Sequence, residues 1–249
     1  PHKPTIVISQ DGNDQRVATT AQSFIASHSD LTLQHWNHPQ PPPSKAPNGY
    51  YKLAQHFGWA FSKAFAEASC KRIIVLEDDI EVAIDFFDYF AAVAPVVESD
   101  ATLLGATAWN DVGMKSLVKD PEALMRSDFF GGLGWLLTLQ AWEELGPKWP
   151  EAYVALYWDD WLREPPQRKD RAFIRPEISR SYTFGVHGTS AGEFYRKYLQ
   201  PIQLNDVAVD WSTKDVSFLY KVGPLSSSSP PPAGPTEKIA MACLPSNNC

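Results

Sequence analysis

Three consecutive acids, Glu77, Asp78 and Asp79, follow directly on the apolar run Ile73–Leu76. Adjacent carboxylates repel one another, and a helix cap needs only one. Asp85, with Asp88 three residues on, is placed to cap the helix that follows. A second chemistry suits the triplet better. Hard oxygen ligands bind Mg²⁺ or Mn²⁺, which take one or two carboxylates and complete their shell with water and phosphate oxygens. A cation held there would act as a Lewis acid toward a departing diphosphate. Acid triplets are common, so the capping reading stays open on this motif alone.

A second acid pair sits between two tryptophans, Trp158-Asp159-Asp160-Trp161. Partial burial by such neighbours makes a carboxylate a better proton acceptor. The plainer reading makes one Asp the cap of a short helix and the tryptophans core. Upstream, Gly131, Gly132 and Gly134 permit close backbone approach to a ligand. Downstream, Arg171 and Arg175 could orient an acid or a phosphate.

The surrounding elements must position these groups. "TIVISQ", Thr5–Gln10, is β-branched and apolar and stops at "DGND", which predicts a buried strand and a loop. Gln15–His28 has helical spacing, and "LTLQHW" is a second short strand. "NHPQPPPSKAPNG" is a loop, because prolines lack donors and fix φ. Tyr50–Ala68 places Tyr50, Leu53, Ala54, Phe57, Phe61, Ala64 and Phe65 on one helical stripe. "RIIVL" is apolar throughout, as central parallel strands are. Further strands are expected at Leu103–Trp109, Gly134–Thr138 and Arg171–Arg175, and helices at Asp85–Val97, Leu139–Leu145 and Trp158–Arg163. The alternation predicts an α/β fold with a mostly parallel sheet and flanking helices. In such sheets ligands bind beyond the carboxyl ends of strands, where the acid triplet sits. Residues 1–220 form the expected domain. Residues 221–249, opening with "GPLSSSSPPPAGPTEK", are expected to be a disordered Ser/Pro-rich tail.

The 249 residues suffice for one large α/β domain, and 44% are hydrophobic, enough for a sizeable core. A net charge of −7 argues against nucleic acid or an anionic membrane as partner. No apolar run approaches the roughly 20 residues of a membrane helix. Cys70, Cys243 and Cys249 have no metal-ligand spacing and do not indicate a compartment. The chain opens "PHKPTIVISQDG", almost at once in a strand, which reads as a piece cut from a longer protein.

"LEDD", "FFGGLGWLL", "PKWPEAYVALYWDDWLR" and "RPEISRSYTFGVHG", in this order, resemble the alpha-1,3-mannosyl-glycoprotein 2-beta-N-acetylglucosaminyltransferase family, N-acetylglucosaminyltransferase I. The likeness runs from about Thr5 to Leu219. It implies a GT-A fold and an inverting, Mn²⁺-dependent transfer of N-acetylglucosamine from UDP-N-acetylglucosamine. The implied acceptor is the α1,3-arm mannose of an oligomannose N-glycan, and the implied linkage is β1,2. The implied setting is the Golgi lumen, as a type II membrane protein whose anchor is absent from this chain.

Residue by residue, the resemblance makes Asp79 the metal ligand and puts Glu77 and Asp78 on the donor's sugar and ribose hydroxyls. The catalytic base falls on Asp159. Asp11 is implied to contact uridine, and His56 to lie at the nucleotide site. Leu133 and Trp158 line the donor site, Arg171 lies near the base, and Ser190 contacts phosphate from a closing loop. Without the resemblance, His56 reads as an ordinary helix histidine and Ser190 as a turn residue.

Two departures stand out. The family's earlier strand, with a nucleotide-contacting Arg just after it, has no counterpart here, and neither does its C-terminal segment. Two positions where animal relatives pair cysteines are held by Gly105 and Phe173. The alternatives are a protein O-mannose β1,2-N-acetylglucosaminyltransferase and a non-catalytic relic that binds nucleotide sugar or carbohydrate.

Overall fold

The computed structural model describes residues 4–39, 49–67, 70–150, 157–186, 195–221 and 239–244, the last as backbone. In chain order the elements are β1 (Thr5–Asp11), α1 (Gln15–Ser27), β2 (Thr32–His38), α2 (Gly49–Glu67), β3 (Arg72–Glu77), β4 (Ile80–Val82), α3 (Phe86–Ser99) and β5 (Leu103–Thr107). There follow β6 (Leu124–Ser127), β7 (Trp135–Thr138), α4 (Leu139–Leu145), α5 (Trp158–Arg163), α6 (Pro165–Arg168), β8 (Ala172–Pro176), β9 (Ser181–Thr183) and β10 (Ile239–Leu244). The chain divides into two units, the first being Pro1–Asp78, Leu139–Leu162 and Glu237–Cys249, the second Asp79–Thr138 and Arg163–Thr236. In sequence the division falls inside the acid triplet, after Asp78.

The first unit holds four parallel strands in the order β2-β1-β10-β3. Val7, Ile73, Ile74 and Val75 are buried, as expected of strands covered on both faces. The α2 stripe buries Ala54, Phe57, Phe61, Ala64 and Phe65, joined by His56 and Ala60. Trp149 packs edge-on to Phe61, with centroids 5.6 Å apart, and its indole N–H donates to the Ala54 carbonyl at 2.8 Å. Gly58 makes that approach possible, since a Cβ there would stand 2.7 Å from Trp149 Cδ1.

The presence of β10 corrects the expectation of a disordered tail from 221 to 249. Ile239 pairs with Thr5 on one side and Ile73 on the other. The run "IAMACL" is apolar throughout, as a central parallel strand must be. The Ser/Pro texture preceding it had masked that signal.

The second unit is mixed rather than mostly parallel. Its strands run β7-β5-β8-β6, with β5–β8 parallel and β5–β7 and β6–β8 antiparallel. Strands β4 and β9 form a separate antiparallel pair. Gly105 and Phe173 face each other in the β5–β8 register, and the Phe173 ring lies 3.5 Å from where a Gly105 Cβ would sit. A large side chain thus fills the space beside an absent one.

The expected cap at α3 is also corrected. Asp85 stands at the N-cap but makes no side-chain capping bond. Its carboxylate instead accepts from Arg180 (Nη2 3.1 Å, Nε 3.2 Å), Trp211 Nε1 (2.8 Å) and Asn205 Nδ2 (3.0 Å). Arg180 also donates to the Ile178 carbonyl at 2.7 Å and to the Pro121 carbonyl. Burying an ion pair demands such saturation, because an unpaired buried charge is costly. Three long-range partners outcompete one helix end.

Candidate functional site

Asp79 is placed by the β4–β9 pair. Ile80 faces Thr183, and beyond that pair the Phe184 N–H donates to the Asp79 carbonyl at 2.9 Å. The Thr183 hydroxyl donates to Asp79 Oδ2 at 3.3 Å. The backbone then passes so close that a Cβ at Gly185 would lie 1.9 Å from Asp79 Oδ2. Only glycine fits there without displacing the carboxylate. Burial pushes the Asp79 carboxyl above its ordinary value, and the Thr183 hydroxyl bond partly opposes that. A half-buried, positioned carboxylate whose negative form is short of solvation suits a hard cation, which takes one or two carboxylates and finds its other oxygens in water and phosphate. The residues present therefore fit the implied Mn²⁺. Glu77, the last residue of β3, is half-buried, and Asp78 is exposed.

At the end of β1, Asp11 meets His56 of α2, with Oδ1 3.7 Å from Nδ1. Their neighbour His38 is an addition to the expected residues, since it lies in the stretch expected to be a Pro-rich loop. His38 closes β2 and is the register partner of Asp11. Its Nδ1 lies 3.8 Å from Asp11 Oδ1 and 3.3 Å from His56 Nδ1. Trp59 stacks on His38 at 4.7 Å between ring centroids and on His56 at 5.8 Å. The signal was the parallel pairing of β1 with β2, which is not visible without the register. Burial, with His38 adjacent, pushes the His56 imidazole down to about 4, and burial also lowers His38.

Asp159 and Asp160 occupy the first turn of α5, both half-buried. Trp158 is buried against Phe57 at 4.8 Å and Trp149 at 6.0 Å, and Trp161 meets Trp149 at 5.4 Å. Trp158 is core, whereas Trp161 is half-buried. Their packing fixes the α5 turn that carries Asp159.

Leu133 is half-buried between two glycines in the left-handed region, Gly132 at φ 72° and Gly134 at φ 80°. Its carbonyl accepts from the Ser181 hydroxyl at 2.5 Å, which anchors the turn to β9. Arg171 donates from Nε to the Arg168 carbonyl at 3.0 Å and from Nη2 to the Gln167 carbonyl at 2.8 Å, so it caps α6. Ser190 lies outside the described residues. Of the named residues, Asp11, His56, Glu77, Asp78, Trp158 and Asp159 belong to the first unit, and Asp79, Leu133 and Arg171 to the second.

No helix among the described residues is long and apolar enough to cross a membrane. A solved glycosyltransferase involved in glycosylation of the major capsid of PBCV-1 is 12% identical and has a TM-score of 0.33, covering 77% of this chain and 98% of its own. A likeness that slight decides nothing. The mixed α/β architecture is itself consistent with the GT-A fold that the resemblance implies. An alpha-1,3-mannosyl-glycoprotein 2-beta-N-acetylglucosaminyltransferase of Arabidopsis thaliana is 49% identical over 221 residues, which are 87% of this chain and 48% of the relative. The chain thus spans about half the length of that curated relative. The model of the GNT-I family matches residues 2–223, nearly the whole chain, and with it the acids of both motifs. The chain belongs to the GNT-I family.

Proposed function

We propose that the chain transfers N-acetylglucosamine from UDP-N-acetylglucosamine to the α1,3-arm mannose of an oligomannose N-glycan, with inversion and a β1,2 linkage. The observation that carries this reading is the Asp79 carboxylate, oriented by Thr183 and approached by Gly185, in a chain whose Arabidopsis relative bears that enzyme name. The reading carries with it the Golgi lumen as the place of action.

Asp79 would hold Mn²⁺, and Glu77 and Asp78 would take the donor's sugar and ribose hydroxyls. When bound, Mn²⁺ supplies Lewis-acid stabilisation of the negative charge on the leaving diphosphate. Asp11 and His56 would bind the nucleoside end. His56 is neutral near pH 7, so it offers a hydrogen bond rather than a charge. Leu133, Trp158 and Arg171 would line and support the donor site, and Ser190 would contact phosphate. Asp159 acts as the general base: it takes the proton from the mannose hydroxyl as that oxygen attacks the anomeric carbon, and UDP departs with the bonding pair.

Transfer from labelled UDP-N-acetylglucosamine to a five-mannose N-glycan, measured with Mn²⁺ and with excess EDTA, tests the reading. Product that depends on Mn²⁺ is the expected result. Absence of product from folded, soluble chain overturns it for this chain. An O-mannosyl peptide run in competition decides the acceptor.

A further inference from the structure

We propose that the Asp111 carboxylate and the Phe129 ring form a subsite for one neutral hexose of the acceptor glycan, beside the turn that carries Leu133. The proposal rests on the transfer reading and adds to it the residues that choose the acceptor.

Two tips of the second unit build the subsite. Beyond β5 the chain turns at Asn110, which is buried. The Asn110 N–H donates to the Ser179 hydroxyl at 2.9 Å, and its side-chain amide donates to the Glu177 carbonyl at 2.6 Å. Its side-chain oxygen accepts from the Val112 N–H at 3.1 Å. Asp111 and Val112 are therefore exposed on a loop whose base is fixed. Asp111 Oδ1 accepts from the buried Trp109 indole N–H at 3.1 Å. The second tip is Phe129–Gly131. Arg163 donates to the Phe130 carbonyl from Nε at 3.1 Å and from Nη2 at 3.0 Å, and its guanidinium lies 4.6 Å from the Phe129 ring centroid. The tips meet, since a Cβ at Gly131 would lie 3.1 Å from Thr107 Oγ1 and 3.2 Å from Trp109 Cδ1. Leu133, which lines the donor site in the transfer reading, follows Gly131 by two residues.

These groups select an uncharged polyhydroxyl ligand. Arg163 and Arg175 stand close enough to act on the Asp111 carboxyl electrostatically, and so oppose a cation there. The carboxylate itself opposes an anion. A pyranose meets what remains: its hydroxyls donate hydrogen bonds and its C–H face is apolar. The Asp111 oxygens offer about four lone-pair positions, of which the Trp109 bond takes one. Crowding raises this carboxyl above its ordinary value, opposed by the Trp109 bond and both guanidiniums. Ligand hydroxyls would supply solvation that it lacks. Phe129 and Val112, 44% and 54% exposed, present the apolar surface. Both tips are fixed before a ligand arrives, so little ordering cost attaches to binding.

The test separates acceptor from donor. Asp111→Asn keeps an oxygen that accepts from Trp109 and removes the charge. It should raise KM for a five-mannose N-glycan about 10–100-fold, the worth of hydrogen bonds to a charged group, and leave KM for UDP-N-acetylglucosamine unchanged. Phe129→Ala should raise the glycan KM about 2–10-fold. If Asp111 served only to hold Trp109, the Asn variant would behave as wild type. A second readout needs no turnover. The Trp109 indole N–H signal in NMR of the isotope-labelled full chain should shift as the glycan is added, with and without UDP and Mn²⁺, and far less in Asp111→Asn. A saturable shift in a chain that makes no product upholds the subsite while the transfer reading fails. Wild-type glycan KM or a wild-type shift in Asp111→Asn, or an indole signal unmoved by millimolar glycan in both conditions, overturns the proposal.

Discussion

At the scale of single residues, the candidate site sets ionisation against solvation. Asp79 is held where its charged form is short of solvent, and its folded-state value is raised. Such a group contributes stability below its unfolded value, and that contribution is lost as pH rises through the raised folded value. Asp79→Asn should therefore unfold at a slightly higher temperature than wild type at pH 7, by calorimetry, while losing Mn²⁺-dependent UDP binding by titration calorimetry. Unchanged binding would show that Asp79 is not the metal ligand. For the proposed base, Asp159→Asn should lower turnover by about 10²–10⁴-fold, the usual worth of general-base assistance, and leave UDP affinity nearly unchanged. Normal turnover in that variant removes Asp159 from the role. His56 has the opposite linkage. Its folded value is about 4 against an ordinary 6.5, so the unfolded chain takes the proton first. Its contribution is complete above pH 6.5 and drains away as pH falls toward 4, by on the order of 3 kcal/mol. In EDTA, the urea midpoint should fall over that window more steeply for wild type than for His56→Gln.

At the scale of elements, the buried polar network beneath α3 is the most testable contact set. Asp85 and Arg180 are 1% and 0% exposed, and Asn205 and Trp211 complete the carboxylate's bonds. Asp85→Ala strands the guanidinium and should cost about 3–5 kcal/mol in urea unfolding, whereas Asp85→Leu with Arg180→Met should recover most of it. A single-variant loss below about 1 kcal/mol would show that water satisfies Arg180 instead. The sequence placed Asp85 at a helix start but not in this network. Capping preference is local, while Arg180, Asn205 and Trp211 lie 95, 120 and 126 residues away. The α2 stripe was legible because its 3.6-residue period is written in the chain itself. The partner of that stripe, Trp149 closing onto Gly58, was not.

At the scale of the whole molecule, β10 connects the chain's two ends. It is paired on both sides, by β1 and by β3. Removing residues 237–249 would leave two unpaired parallel edges within the first unit, and such edges template association. The shortened chain should elute as aggregate on size-exclusion chromatography where the full chain elutes as monomer or defined oligomer. A soluble, monodisperse shortened chain would show that β1 and β3 close up without it.

The sequence by itself determined the strand–helix alternation, the two acid motifs at element ends and the family, because apolar period, proline and glycine punctuation and adjacent charges act locally along the chain. Only the tertiary structure decided that Asp11 faces His38 across β1 and β2, that Gly185 presses on Asp79, and that "IAMACL" is a central strand rather than part of a tail. Each depends on strand register or on close approach of distant backbone. Those are set by the joint packing of the core and by no single stretch of residues.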